Sequence, residues 1–427
     1  MRRSRQKWGW AFYDWANSAY STTVMAGFFP VFFKEYWNAG LSAVDSTFRL
    51  GMANSLASLI IVLMAPVLGA IADSMSRRKA MLFGFAFLGM LMTGGLYLVG
   101  QGDWLLAAVL YGISMIGFSG SNVFYDSLLP FVSDNEDVDR VSALGFSLGY
   151  LGGGLLLSVN VLMTMHPSWF GLVDAESAVR VSFLIVACWW MLFSMPLMLL
   201  VEEPRLPAND TPVYYIGQGF VRIWHTLHEV RAMRNIWMFL IAYWLYIDGI
   251  DTIIRMAVDY GLSLGFDQNS LIAALLITQF VGFPSALAFG WLGSRYGPKA
   301  GIITGLLIYM VVTVWASLMS TATEFYVLAL MIGLAQGGVQ ALSRSLYARM
   351  IPENRTAEFF GFYNMLGKFA AIIGPVMMGW VGVLANSSRV GILSLLVLFV
   401  IGAMVLLKVD PGAQNLPRAL NRKSNSI

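Results

Sequence analysis

Within the apolar stretch 235–257, Trp244, Asp248, Asp251, Thr252 and Arg255 fall at i, i+4, i+7, i+8 and i+11, one stripe of a helix. Asp251 and Arg255 form an i,i+4 pair in the favourable orientation. Asp248 lies about 20 Å into the stretch at 1.5 Å per residue. Stretch 8–33 carries Trp10, Tyr13, Asp14, Asn17, Tyr20 and Ser21 on one side. Further along come Asp126, then Gln336, Gln340, Ser343 and Arg344, then Asn364 and Lys368. In apolar surroundings each ionisable group costs several kcal/mol, so each needs a partner or a task. Four acids (Asp14, Asp126, Asp248, Asp251) meet three bases (Arg255, Arg344, Lys368), leaving one carboxylate without an obvious basic partner. Such a carboxylate can bind and release protons near neutral pH. A self-neutralising structural stripe against a neighbouring helix explains Asp248, Asp251 and Arg255 equally well.

The elements that hold these groups are membrane spans. Of 427 residues 58% are hydrophobic and 12% charged, more apolar surface than a soluble chain of this length buries. A crossing takes about 20 mainly apolar residues. Twelve stretches qualify: 8–33, 50–72, 80–99, 104–128, 141–163, 179–201, 235–257, 270–292, 300–319, 324–347, 359–384 and 390–408. Charge alternates between the intervening loops. Twenty of the 27 Lys and Arg residues fall on the side of the N-terminus, against Lys34, Arg49, Arg180 and Arg389 on the other. That bias predicts cytoplasmic termini in a bacterial inner membrane. The lone Cys188 rules out a disulfide framework, and His166, His225 and His228 fall outside the apolar stretches, so no metal site is expected. A net charge of +3 does not suggest nucleic-acid binding. No nucleotide-binding loop and no nucleophile–base set occurs, so neither a cofactor nor an enzymatic activity is expected.

The polar interruption 202–234 divides the chain into 1–201 and 235–408, six spans each, with a tail at 409–427. Within it Ile216, Phe220, Ile223, Trp224, Leu227 and Val230 are helically spaced. They suit an amphipathic helix on the inner leaflet or packed beneath the bundle. The two parts repeat weakly. Gly69-Ala-Ile-Ala-Asp73-Ser-Met-Ser-Arg77-Arg78-Lys79 corresponds to Gly290-Trp-Leu-Gly-Ser294-Arg-Tyr-Gly-Pro-Lys299, and Gly120 to Leu128 corresponds to Gly338 to Leu346, aligning Asp126 with Arg344. Duplicated six-helix units place a substrate site between them near mid-membrane.

Gly69, Asp73, Arg77 and Arg78 resemble the loop 2–3 signature of the major facilitator superfamily, with Ser76 in place of the usual glycine. The segments Trp10-Ala-Phe-Tyr-Asp-Trp-Ala-Asn17 and Gln336-Gly-Gly-Val-Gln-Ala-Leu-Ser-Arg344-Ser345 are similar to the branch related to the yeast vacuolar amino-acid effluxer. The resemblance implies an all-α membrane protein, twelve helices in two pseudo-symmetric six-helix bundles, with helices 1 and 7 facing a central cavity. It also implies a gate in which Asp73 faces the N-terminus of helix 11, where the helix dipole favours an anion. Arg77 is then expected to reach Asp126, and Arg344 to take part in the same gate. Tyr13, Asp14, Asn17, Asp248, Asp251, Arg255 and Lys368 are the candidates for solute binding or proton coupling. Gly145, Gly149, Tyr150 and Gly152 to Gly154 resemble a glycine-rich exchanger signature in which Tyr150 replaces proline. Close helix packing accounts for them equally well.

The expected activity is proton-coupled secondary transport of a small polar or zwitterionic, amino-acid-like solute by a monomer in contact with membrane lipids and protons. A broad efflux antiporter for amphipathic compounds is the near alternative. A non-transporting sensor or assembly factor is the alternative of another class.

Overall fold

The computed structural model describes residues 2–40, 43–75, 77–203, 227–263 and 268–410. These are nearly all helical, and no strand occurs among them. The long helices are α1 (Arg2–Ala19), α2 (Ala43–Met75), α3 (Arg78–Gly95), α4 (Trp104–Ser127), α5 (Val138–Met165) and α6 (Ala175–Leu200). After the linker come α7 (Arg234–Ser263), α8 (Gln268–Tyr296), α9 (Pro298–Leu318), α10 (Ala322–Met350) and α11 (Thr356–Leu384), then α12 (Ser388–Leu393) and α13 (Leu396–Leu407). The linker's expected amphipathic helix falls largely on 204–226, outside the described residues.

Ten helical segments among the described residues are long and apolar enough to cross a membrane. The expected count of twelve also included α1, whose first turns carry Arg2, Arg3, Arg5 and Lys7, and α11, of which Ile373–Leu384 is a shorter apolar helix. Large apolar side chains such as Leu56, Leu59, Leu192, Leu199 and Trp380 face outward, as a hydrocarbon solvent permits.

The first span departs from a plain α-helix. Beyond Ala19 it widens into π-helical turns at Tyr20–Phe28 and Phe33–Trp37. The hydroxyls of Ser21 and Thr22 both donate to the Ser18 carbonyl, at 3.0 and 2.9 Å. Side chains that compete for the ladder's acceptors loosen it. A row of small residues on α5 lets α1 lie against it; a Cβ on Gly149 would come 2.6 Å from Ser18 Oγ.

Contacts between loops place the N-terminus, the turns α2–α3, α4–α5, α8–α9 and α10–α11, and the ends of α6 and α13 at one end of the bundle. There Arg2 bonds Glu202, Arg3 bonds Asp134, Lys7 bonds Asp137, Arg140 bonds Ser294 and Arg349 bonds Asp139. We call this the basic end. The duplicated lysines perform the same task in both parts. Lys79 Nζ donates to the Met198 and Val201 carbonyls (2.8 and 2.5 Å) at the end of α6. Lys299 Nζ donates to those of Leu407 and Val409 (2.6 and 2.9 Å) at the end of α13. A cation on orphan carbonyls complements the negative end of a helix dipole.

Candidate gate and coupling site

Arg344 sits six residues before the end of α10, about 9 Å in from the basic end. It is 3% exposed. Its guanidinium reaches into the first half of the chain. Nη1 donates to Asp126 Oδ1 at 3.1 Å, Nη2 to Asp14 Oδ2 at 3.2 Å and to the Ser142 carbonyl at 2.9 Å, and Nε to Ser142 Oγ at 3.0 Å. Trp10 and Phe146 lie under its charge at 4.8 and 4.3 Å. Tyr125 donates to Asp14 at 2.8 Å, and Asn364 of α11 donates to Asp126 at 3.0 Å. One cation thus joins α1, α4, α5 and α10, and α11 joins through Asn364. Asp126 and Asp14 are 7% and 8% exposed, so two carboxylates and one guanidinium share a nearly dry site.

A second junction lies between α2 and α11. The Asp73 carboxylate accepts from the backbone N–H groups of Ala357 and Glu358 at 3.1 and 2.8 Å, in the first turn of α11. Those N–H groups have no partner within the helix, and its dipole favours an anion there. Arg78 holds the same carboxylate from behind at 2.5 Å. A Cβ on Gly69 would fall 2.2 Å from the Ala357 carbonyl, so glycine is what lets the two helices meet. The corresponding Gly290 of α8 crosses α5, where a Cβ would come 2.4 Å from that of Ala143. On that side Asp139, fully buried, receives Ser345 Oγ at 2.5 Å and Arg349 Nη2 at 2.6 Å.

The described ends of the linker attach to the α2–α11 junction. Glu203 accepts from the N–H groups of Arg78 and Lys79, at 2.5 and 3.2 Å. Burial nevertheless holds its carboxyl above the ordinary range. Glu229 pairs with Arg355, which also grips Glu358 at 2.9 Å.

Several candidates sit elsewhere than expected. Arg77 is exposed, and Asp126 is engaged by Arg344 and Asn364 instead. The loop turns so that the neighbouring Arg78, not Arg77, points inward to Asp73. Asp248 is 1% exposed, and both its oxygens accept the Gly374 N–H at 3.0 Å. Gly374 precedes Pro375, in a kink-prone stretch of α11, and a Cβ there would meet Thr252 Oγ1 at 2.0 Å. Asp251 is half-buried one turn beyond Asp248. The side chains of Arg255 and Lys368 lie outside the described residues. Asn17 donates to Asn122 at 2.6 Å, and Tyr13 is fully buried beside them.

Two pseudo-repeated helical halves are thus closed against each other at the end bearing the loop signature. A family model described as vacuole effluxer Atg22-like matches residues 2–414. The chain belongs to that family. An uncharacterised MFS-type transporter of Bacillus subtilis (strain 168), YxiO, is 38% identical over 408 residues, 95% of each chain. Autophagy-related protein 22 of Eremothecium gossypii is 22% identical over 88% of this chain and 85% of its own length. In fold the Atg22-like chain is similar to the human organic anion transporter MFSD10 (TM-score 0.71, 14% identity, 95% of this chain and 100% of that one). It is equally similar to the proton:xylose symporter XylE (TM-score 0.71, 14% identity, 95% and 94%). It is a multi-pass membrane transporter of the major facilitator superfamily, not an enzyme.

The sequence left Ser142, Tyr125, Asp139, Ser345, Arg349, Glu203 and Glu229 out of the site. Asp139 and Arg349 carried a usable signal, opposite charges next to the two ends that a 6+6 repeat brings together. Ser142 carried none, since a serine in a span most often bonds its own helix.

Proposed function

We propose that this Atg22-like transporter carries a small polar or zwitterionic solute, amino acids being the first class to test, by alternating access coupled to protons. The basic end is the cytoplasmic side, and the structure corresponds to the state closed on that side. The observation that carries the reading is the chemistry of the closure. Arg344 to Asp14 and Asp126, Asp73 to α11, and Asp139 to Ser345 and Arg349 are all polar contacts between the halves. Water can take over every one of them when the halves part. Proton coupling is assigned to the Asp14–Asp126–Arg344 set: the guanidinium balances one carboxylate and a proton neutralises the second. Solute binding is assigned to polar residues deeper in the bundle than this set, Asn17, Asn122 and Asp251. The name of the family model, an effluxer, supports export as the direction.

The test is solute-driven proton movement in proteoliposomes with and without an imposed pH gradient, screening amino acids against lipophilic cations. Coupled movement with an amino acid, lost in Asp14→Asn and Asp126→Asn and retained in Asp248→Asn, supports the assignment. Movement of lipophilic cations alone supports the broad efflux reading. Proton movement that persists in both Asp14→Asn and Asp126→Asn sinks the coupling assignment.

A further inference from the structure

Two arginines at the basic end, one from each half of the chain, stand without a carboxylate. Around them Arg2, Arg3, Lys7, Arg349 and Arg355 all pair with acids. Arg140, in the first turn of α5, and Arg295, in the last turn of α8, are exposed and meet no acid among the described residues. Arg140 reaches α8 through one bond to a neutral group, Nε to Ser294 Oγ at 3.1 Å. Arg295 is the next residue in the chain. Its guanidinium lies 5.6 and 5.8 Å from the rings of Trp291 and Tyr296, both exposed. Ser294 holds the place that Asp73 holds in the first half, so no acid stands here where the other loop has one.

The helix faces that run inward from this pair are apolar. Gly290 brings α8 against α5; a Cβ there would come 2.4 Å from that of Ala143. Beside the crossing, at helical spacing, Leu144 and Leu151 follow Arg140 along α5, and Leu287 and Phe280 precede Ser294 along α8. Leu287 and Phe280 are exposed, and a Cβ on Gly154 of α5 would come 3.8 Å from Phe280 Cζ, so the two faces border one seam.

Depth gives the seam its chemistry. The 28 residues of α5 span about 42 Å, the thickness of a bilayer with its headgroups, about 40–45 Å. Arg140 and Ser294 are each the third residue in from a helix end, at headgroup depth. Trp291 sits at the edge of the hydrocarbon, where indoles settle. Leu287, nine residues from the end of α8, lies about 14 Å in, among acyl chains. Guanidinium groups bind phosphate through charge-assisted hydrogen bonds. A choline headgroup brings its own cation, which the two arginines repel; an anionic headgroup does not.

We propose that the α5–α8 seam binds one anionic phospholipid of the leaflet at the basic end. Its phosphate is held between Arg140 of the first half and Arg295 of the second, and an acyl chain lies along Leu287. The lipid joins the halves at a loop where Arg140 and Ser294 share only one bond. The inference needs a chain that spans a membrane, and it is independent of the solute and of proton coupling.

The test is photo-cross-linking of the full chain in vesicles of phosphatidylcholine with a minor share of phosphatidylglycerol. Leu287→benzoylphenylalanine captures the lipid in the seam, and mass spectrometry reads its class. Leu307→benzoylphenylalanine, on an exposed face of α9 and also nine residues from the basic end of its helix, reports the bulk lipid. Each guanidinium contributes about a factor of five toward an anionic lipid. Phosphatidylglycerol is therefore expected at about fivefold or more above its bulk share at Leu287, and at its bulk share at Leu307. Arg140→Gln and Arg295→Gln are each expected to cut the enrichment several-fold, and together to abolish it. Both side chains are exposed, so the double variant is expected to keep the native thermal midpoint in lipid-free detergent. Added phosphatidylglycerol is expected to raise that midpoint in the native protein and not in the double variant. Equal capture at Leu287 and Leu307, or enrichment that survives the double variant, overturns the site. A midpoint raised as much by inorganic phosphate as by phosphatidylglycerol assigns the arginines to a free anion and overturns the lipid.

Discussion

Replacing Arg344 by Met removes the one cation from a site holding two carboxylates. Asp14 keeps the Tyr125 hydroxyl and Asp126 keeps the Asn364 amide, but neither retains a counter-charge among its described contacts. Breaking a buried pair by deleting one partner costs about 3–5 kcal/mol, because the other charge stays buried and uncompensated. With a proton already neutralising one of the two acids, one charge is stranded, and the Ser142 carbonyl also loses its donor. The upper part of that range applies, and the loss is expected as a clear fall in thermal midpoint of the detergent-purified protein. Most of it is electrostatic, so removing the stranded charge should return it. Arg344→Met combined with Asp14→Asn and Asp126→Asn is expected to recover more than half the loss. Triads replaced together are often neutral or stabilising. A triple variant no more stable than Arg344→Met alone would mean that packing against Trp10 and Phe146, not charge, sets the cost, and would refute the reasoning.

Gly69→Val should hold the basic end open, since its Cβ alone would fall 2.2 Å from the Ala357 carbonyl; maleimide labelling of Ser345→Cys from that side is expected to rise several-fold. Lys79→Met and Lys299→Met should each lower stability by a similar amount, about 0.3–1 kcal/mol for a cation at a helix end, and a large difference between them would contradict their matched roles. Asp248→Ala leaves the Gly374 N–H without its acceptor and should cost about 1–3 kcal/mol, whereas Asp248→Asn keeps one acceptor and should cost less. Glu203 supplies a pH dependence. Its carboxyl titrates higher folded than unfolded, so the folded state holds that proton more tightly. Its contribution to stability is therefore greatest at low pH and falls as pH rises from the ordinary glutamate range through the raised folded value. The difference in thermal midpoint between the native protein and Glu203→Gln should follow that direction; no slope in that window would rule the effect out.

Much of the fold was legible because a hydrocarbon solvent imposes a blunt rule. Each span must be long and apolar, and ten helical segments meet that rule without help from packing. The spans that escape it are informative. The first carries the arginines that anchor it and the hydroxyls that widen it, so its sequence describes a job rather than a solvent. The site was legible in its residue types but not in its pairings. Arg344, Asp14 and Asp126 stood out as charges in oil, yet their meeting depends on three-dimensional crossings 218 and 330 residues apart in sequence. Asp248 stood out because helix 7 lines the cavity in the fold the sequence resembles. No periodicity could show that α11 would offer it a backbone N–H. Arg77 and Arg78 are adjacent bases, and only the turn decides which of them points inward.

The internal repeat explains why the closure can be both firm and reversible. At Lys79 and Lys299 the halves kept the same residue, and each lysine bonds within its own half. At Asp126 and Arg344 they diverged, and the two aligned positions bond each other at 3.1 Å, as positions near a pseudo-twofold axis can. A symmetric pair could not do this, since two acids or two bases there would repel. The loop signature diverged without the two positions becoming partners. Asp73 caps α11 with an ionised group, while its counterpart Ser294 receives a single bond from Arg140. The α5–α8 crossing is therefore lightly tied at its loop and closely packed at depth, and the α2–α11 crossing is firmly tied at its loop. Opening the basic end must break the bonds of Asp73 to the first turn of α11, so opening is expected to be favoured by variants of that residue and of Gly69.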